Sequence, residues 1–163
     1  MKNLTLKILV LFCSLLVSSS CNIPTKNNSP TPPKINSYNH RLEIGNAKLD
    51  IEIAKTASEL TLGLSNRENM SESQGMLFDF TSNPGTPVFW MKDMKFNLDL
   101  IWINKNKIIG ITEDVPYIIQ ASNFKLQDLP HYLPPSTITY VLEVNAGWSK
   151  RNNIKIGNEI VLK

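Results

Sequence analysis

Cysteine is nearly absent from this chain, and its scarcity removes several chemistries at once. There are 2 cysteines in 163 residues, and Cys13 lies inside an apolar run near the N-terminus. Once that run is set aside, Cys21 stands alone, and a single thiol makes neither a disulfide nor a thiolate zinc site. Histidine is as rare, with only His40 and His131. A three-histidine metal centre is therefore excluded, and a serine triad would have to recruit His131 with no nucleophile-elbow motif to support it. Among the 7 glycines there is no phosphate-cradling loop and no dinucleotide fingerprint. No apolar run reaches the roughly 20 residues that a spanning helix needs. An excess of basic charge is lacking too: setting aside Lys2 and Lys7 of the first 20 residues leaves 15 bases against 14 acids. That balance provides no stripe for nucleic acid. No cofactor, metal or nucleic-acid partner is expected.

What is present begins with a leader. Lys2 and Lys7 precede the apolar run Ile8–Val17 and the small residues Ser18-Ser19-Ser20, the pattern of a signal peptide over residues 1–20. Cys21 follows directly and resembles the acylated cysteine of a bacterial lipobox, with Ser18 where such boxes usually carry leucine. The expectation is an exported protein, lipid-anchored to the cell envelope through Cys21. Asn22 is not the aspartate that retains many lipoproteins in the inner membrane, so a Gram-negative cell would place the protein on the outer membrane, facing the periplasm. The alternative is a secreted protein cut nearby with one leftover thiol. Residues 21–39 hold Pro24, Pro30, Pro32 and Pro33 among Asn, Thr, Ser and Lys and read as a disordered tether.

From residue 40 to residue 163 the pattern is that of one folded domain. Arg41–Ile44 and Ala47–Ile53 alternate apolar and polar residues about Gly45-Asn46, which predicts a hairpin. Thr56 and Glu59 form a capping box that opens a short helix carrying Leu60, Leu62 and Leu64. Further strands are expected at Met76–Phe80, Pro87–Met91, Leu98–Ile103, Ile108–Thr112, Thr137–Val144 and Ile160–Leu162, with one helical turn at Gly147–Asn152. Between them, Pro116–Ser136 forms a long irregular connection. This predicts a mainly β fold: a single antiparallel sandwich or partly closed barrel, jelly-roll-like, with one or two short helices.

The stretch from Thr86 to Ile103 stands out. Two apolar segments rich in aromatic and β-branched residues are joined by a link bearing Lys92, Asp93 and Lys95. Asp99, between Leu98 and Leu100, is a candidate buried carboxylate, and such a group needs donors or a cation. Arg67 and Lys92 are the candidate partners, with Trp90 or Trp102 as a flat platform for a ring. The plainer reading makes Asp99 a brace that accepts backbone N–H groups and makes both tryptophans core. Met76, Met91 and Met94 fall on apolar segments and read as core filling. Glu143 falls on the polar face of its strand and reads as solvated.

Taken together, Gly63-Leu64 with Arg67, Gly75-Met76-Leu77-Phe78, Phe89-Trp90-Met91-Lys92 with Leu98-Asp99, Tyr140-Val141-Leu142-Glu143-Val144 with Gly147, and Ile154-Lys155-Ile156-Gly157 resemble the domain of unknown function 192 (DUF192, UPF0127) family. The resemblance runs through residues 42 to 162. It implies a small, mostly β domain, often exported behind a signal peptide or lipid anchor, and it implies no known activity. Asp93 stands where the family usually has asparagine, Asn97 where it has proline, and Ser65 where it has methionine.

The leading expectation is a non-catalytic, membrane-anchored envelope domain. It would bind a small polar ligand, a glycan or a partner protein around Arg67, Trp90, Lys92, Asp93, Asp99 and Trp102. The alternatives are a hydrolase of envelope saccharides using Asp99 with a second carboxylate and a structural interaction module.

Overall fold

The computed structural model describes residues 38–119 and 124–163. The expected signal peptide, Cys21 and its tether as far as residue 37 lie outside those residues. Seven strands form one sheet: β1 (His40–Ile44), β2 (Ala47–Ala54), β3 (Gln74–Asp79), β4 (Leu98–Asn104), β5 (Lys107–Val115), β6 (Tyr140–Asn145) and β7 (Ile160–Leu162). The described residues also form two short α-helices, α1 (Ala57–Leu62) and α2 (Trp148–Arg151), and a 3-10 turn at Leu126–Asp128. The predicted hairpin is there: β1 and β2 pair with Ile44 opposite Ala47, and Gly45 takes the positive φ of 58° that the tight turn demands.

The strand order is β5-β4-β6-β3-β2-β1-β7. Every pairing is antiparallel except β2 with β3, which run parallel. The parallel step follows from α1 and the polar segment after it, which carry the chain back to the same end of the sheet. The outermost strands also approach each other: Ile108 N donates to Asn158 O at 2.9 Å, and Ile160 N donates to Asn106 O at 2.8 Å. Of the two expected architectures, the partly closed barrel is the one observed.

Both faces of the sheet are covered. One carries Leu42, Ile51, Leu77, Ile101, Leu142 and Val144, closed at one end by Trp148. The other carries Met76, Phe78, Leu100, Trp102 and Val141, and is roofed by the chain between α1 and β4. The capping box at α1 is formed, with Glu59 N donating to Thr56 Oγ1 at 3.3 Å and Thr56 N donating to Glu59 Oε2 at 2.8 Å. Gly63 ends the helix at a φ of 49°, where a Cβ would come within 3.1 Å of the Phe78 ring.

Pro87–Met91 is not a strand of the sheet, contrary to expectation. It makes one isolated bridge, between Phe89 and Tyr132. Pro87 has no N–H to give to a ladder, and the apolar side chains serve instead as the roof. Phe89 meets Phe78 and Trp102 edge to face, with centroids 5.1 and 5.6 Å apart, while Met91 and Met94 are buried in the same cluster. Among the described residues no helix is long and apolar enough to cross a membrane.

Candidate functional site

The site is built from one row of the sheet. Glu52 on β2 pairs with Met76 on β3, Met76 with Glu143 on β6, and Glu143 with Leu100 on β4. Residues opposite one another in a ladder point to the same face, so two carboxylates stand on the roofed face, one on each side of Met76. Both are buried, Glu52 at 3% and Glu143 at 5% exposure. A buried carboxylate is costly unless paired. Glu52 is paired: Arg67 donates from Nη1 to Oε1 at 2.5 Å and from Nη2 to Oε2 at 2.7 Å. Tyr38 Oη accepts a further bond from Arg67 Nη1 at 3.4 Å, and burial raises its phenol above the usual range.

Glu143 has no such partner among the described residues. Burial pushes its carboxyl up to about 8, against a lesser opposing pull from the Arg67 charge. The group lines a cavity of about 210 Å³ whose walls include Leu60, Gly63, Phe78, Phe80, Phe89 and Trp90. Glu143 is the only titratable residue of that lining.

The cavity does not end at Trp90. A wider groove of about 650 Å³ continues past it, sharing Thr61, Leu62, Ser65 and Trp90 with the cavity and adding Lys92 and Asp93. Two bonds tie the walls of this groove together. Ser65 Oγ donates to Lys92 O at 3.1 Å, and Asn66 N donates to Asp93 O at 2.8 Å. Asp93 sits at a φ of 57°, a left-handed conformation that aspartate, asparagine and glycine tolerate best. The arrangement is therefore an aromatic-walled pocket with one acid inside, opening into a groove with a lysine and an aspartate.

The expected site residues divide into three groups. Trp90, Lys92 and Asp93 come together in the groove. Arg67 lines neither the cavity nor the groove and is committed to Glu52 rather than to Asp99. Asp99 and Trp102 are elsewhere and sealed, at 0% and 1% exposure. Asp99 Oδ1 accepts from the backbone N–H of Asp114 and of Gly147, both at 3.0 Å, and Oδ2 accepts from Ser149 N at 2.9 Å. It thereby fastens the start of α2 and the end of β5 to β4. Trp102 packs in the core and donates Nε1–H to Thr112 Oγ1 at 2.9 Å. The expected cluster of Arg67, Lys92 and Asp99 does not form, and a hydrolase using Asp99 loses its carboxylate, because both oxygens are held by backbone under side chains.

Glu143 is the residue the sequence pattern misassigned. Alternation placed it on a solvated face, but β6 lies in the middle of the sheet with both faces covered. Val141, apolar and on the same face as Glu143, is the one local hint, since strands buried on both faces read as near-continuous apolar runs.

A small partly closed β-barrel with a roofed face and an apolar pocket beneath a short helix is the class that fold and site define. The chain belongs to the DUF192 family, described as "Uncharacterized ACR", whose model matches residues 40–162. It is similar to a protein of Sinorhizobium meliloti 1021, described as a proposed transcription regulator. The identity is 28% over 77% of this chain and 95% of that one, with a TM-score of 0.66. It shares its fold with a protein of unknown function from Novosphingobium aromaticivorans DSM 12444, at 24% identity over 74% of this chain and 83% of the other, with a TM-score of 0.64. No curated protein matches it.

Proposed function

We propose that this is an exported domain, held at a membrane surface by acylated Cys21, that binds a small ligand in the cleft between α1 and the segment from Pro87 to Asp93. The observation that carries the reading is the position of Trp90. It is the wall common to a small, largely apolar pocket and to a wider groove bearing Lys92 and Asp93. Ligand sites are concave, largely apolar and supplied with a few polar groups that fix orientation, and this cleft has that composition. Binding ranks above catalysis because the Thr61 and Ser65 hydroxyls of the cleft donate to the backbone carbonyls of Ala57 and Lys92 rather than to a base. A transcription-regulator role like that ascribed to the Sinorhizobium protein has less support, since 15 basic residues against 14 acidic after residue 20 leave little to attract a phosphate backbone.

The test is a thermal-shift screen of the purified protein against sugars, amines, carboxylates and metal ions, repeated with Trp90→Ala. A ligand that binds only the folded state raises the melting temperature by mass action. A hit abolished by Trp90→Ala supports the site. A screen with no hit sensitive to Trp90 favours a protein partner, to be sought by cross-linking in cells.

A further inference from the structure

The inner pocket has an unusual charge inventory. Four aromatic residues, Phe78, Phe80, Phe89 and Trp90, line it together with one carboxyl group, that of Glu143, and neither a lysine nor an arginine does. Aromatic faces carry negative electrostatic potential and attract cations, most strongly where water is excluded. A carboxyl at the floor supplies the counter-charge. We propose that the pocket is a receptor for an organic ammonium ion with a small apolar body, whose nitrogen pairs with Glu143 and whose body lies among the aromatic rings. The inference rests on the cleft reading given above and names its ligand class.

The rest of the row explains why Glu143 is available. Glu52 is the neighbouring acid, but Arg67 saturates it with two short bonds. Tyr38 also meets Arg67 and does not line the pocket. Arg67 thus neutralises one glutamate and leaves the other for something that enters from outside. A neutral ligand gains apolar contact and at most a hydrogen bond to the carboxyl, and an anion finds no counter-charge, since neither a lysine nor an arginine lines the pocket.

Proton balance follows from the same geometry. In the empty pocket the carboxyl holds its proton at neutral pH, because burial disfavours the ionised form. An entering ammonium pairs with the carboxylate, so each binding event releases up to one proton from Glu143 to the buffer. Affinity therefore rises with pH until the empty pocket is itself ionised near pH 8.

The experiment is calorimetric titration of the purified protein with benzylammonium, benzyl alcohol and benzoate, three probes of one shape and different charge. Benzylammonium is expected to bind at least about tenfold more tightly than the alcohol, a difference of about 1.4 kcal/mol. It is also expected to tighten from pH 6 to pH 8 and to show proton release between buffers of different ionisation enthalpy. Glu143→Gln, with folding checked by denaturation, removes the preference for the cation and leaves the alcohol unchanged. Equal or tighter binding of benzyl alcohol or benzoate, or a cation preference that survives Glu143→Gln, overturns the proposal. If the alcohol or benzoate binds and Trp90→Ala abolishes it, the cleft stands and only the ammonium inference fails. If none of the three probes gives heat that Trp90→Ala alters, both fail.

Discussion

Glu52 and Glu143 flank Met76 in one row of the sheet, and only Glu52 is paired. The asymmetry is set by Arg67, which reaches over from the turn after α1 and spends both terminal nitrogens on one carboxylate. Two acids in one row of the sheet thus have different work: one fastens the roof to the sheet, and the other is left in a cavity.

The unpaired glutamate makes stability depend on pH in a stated direction. Its carboxyl is raised from an ordinary 4.5 to about 8 in the folded protein. Between those values the folded chain holds a proton that the unfolded chain has lost. Stability from this group is therefore full below about pH 4.5 and is lost as pH rises through about 8, at up to about 1.4 kcal/mol per pH unit. Glu143→Gln cannot ionise. Urea denaturation of both proteins from pH 5 to pH 8 is expected to show the wild type falling relative to the variant; parallel curves would contradict a buried, unpaired Glu143.

Removing Arg67 strands the other acid. Arg67→Ala leaves Glu52 buried without a cation, a loss of about 3 kcal/mol for a pair of this kind. The double variant Arg67→Met with Glu52→Leu is expected to recover most of that loss, because the cost lies in the uncompensated charge. Arg67→Ala also removes the charge that holds Glu143 down, so the pH at which the wild-type curve bends moves upward. Denaturation midpoints of the single and double variants at two pH values check both statements.

Asp99 was legible as a buried carboxylate because it interrupts an apolar strand, and its role as a brace was one of the two readings its sequence context allowed. The hairpin, the capping box, Leu98–Ile103 and the last strand were legible for similar reasons: each has its own turn or cap chemistry written into adjacent residues. The roof was not. Pro87–Met91 is rich in aromatic and β-branched residues as a buried strand would be, and only the sheet already built beneath it makes a non-strand course the better way to bury Phe89 and Met91. Glu143 was hidden for a related reason. Alternation reports which residues share a face, and it does not report that both faces are covered; that depends on β6 lying between β3 and β4, a pairing that joins segments far apart in the chain.

Asp99→Ala should be among the most damaging single changes in the domain. Backbone N–H groups of Asp114, Gly147 and Ser149 lose their acceptor together, and a buried donor left unsatisfied costs about 1–3 kcal/mol. The expected loss exceeds that of Glu143→Ala at pH 8, where the glutamate is itself unfavourable. Faster amide exchange at Gly147 and Ser149 in Asp99→Ala would locate the damage at the start of α2. Equal melting temperatures for the two alanine variants would count against the brace.

Cys21 tests the anchor independently of the site. An acylated Cys21 predicts that the protein made in its own cell takes up labelled fatty acid and sediments with membranes, and that Cys21→Ser abolishes both. A Cys21→Ser protein that still partitions with membranes would point to another means of attachment.

At Asp93 conformation and charge can be separated. The φ of 57° is left-handed, and its carbonyl accepts from Asn66 N at 2.8 Å across the groove. Asparagine tolerates that conformation as well as aspartate does, so Asp93→Asn should leave the melting temperature unchanged. A β-branched residue does not, and Asp93→Val is expected to cost about 1–2 kcal/mol. Because Asp93 lies in the outer groove and not in the inner pocket, Asp93→Asn should also leave benzylammonium affinity within about twofold of the wild type, or about 0.4 kcal/mol. A large fall in affinity would mean that the ammonium group rests in the groove beside Asp93 rather than on Glu143, and calorimetry on this one stable variant distinguishes the two positions.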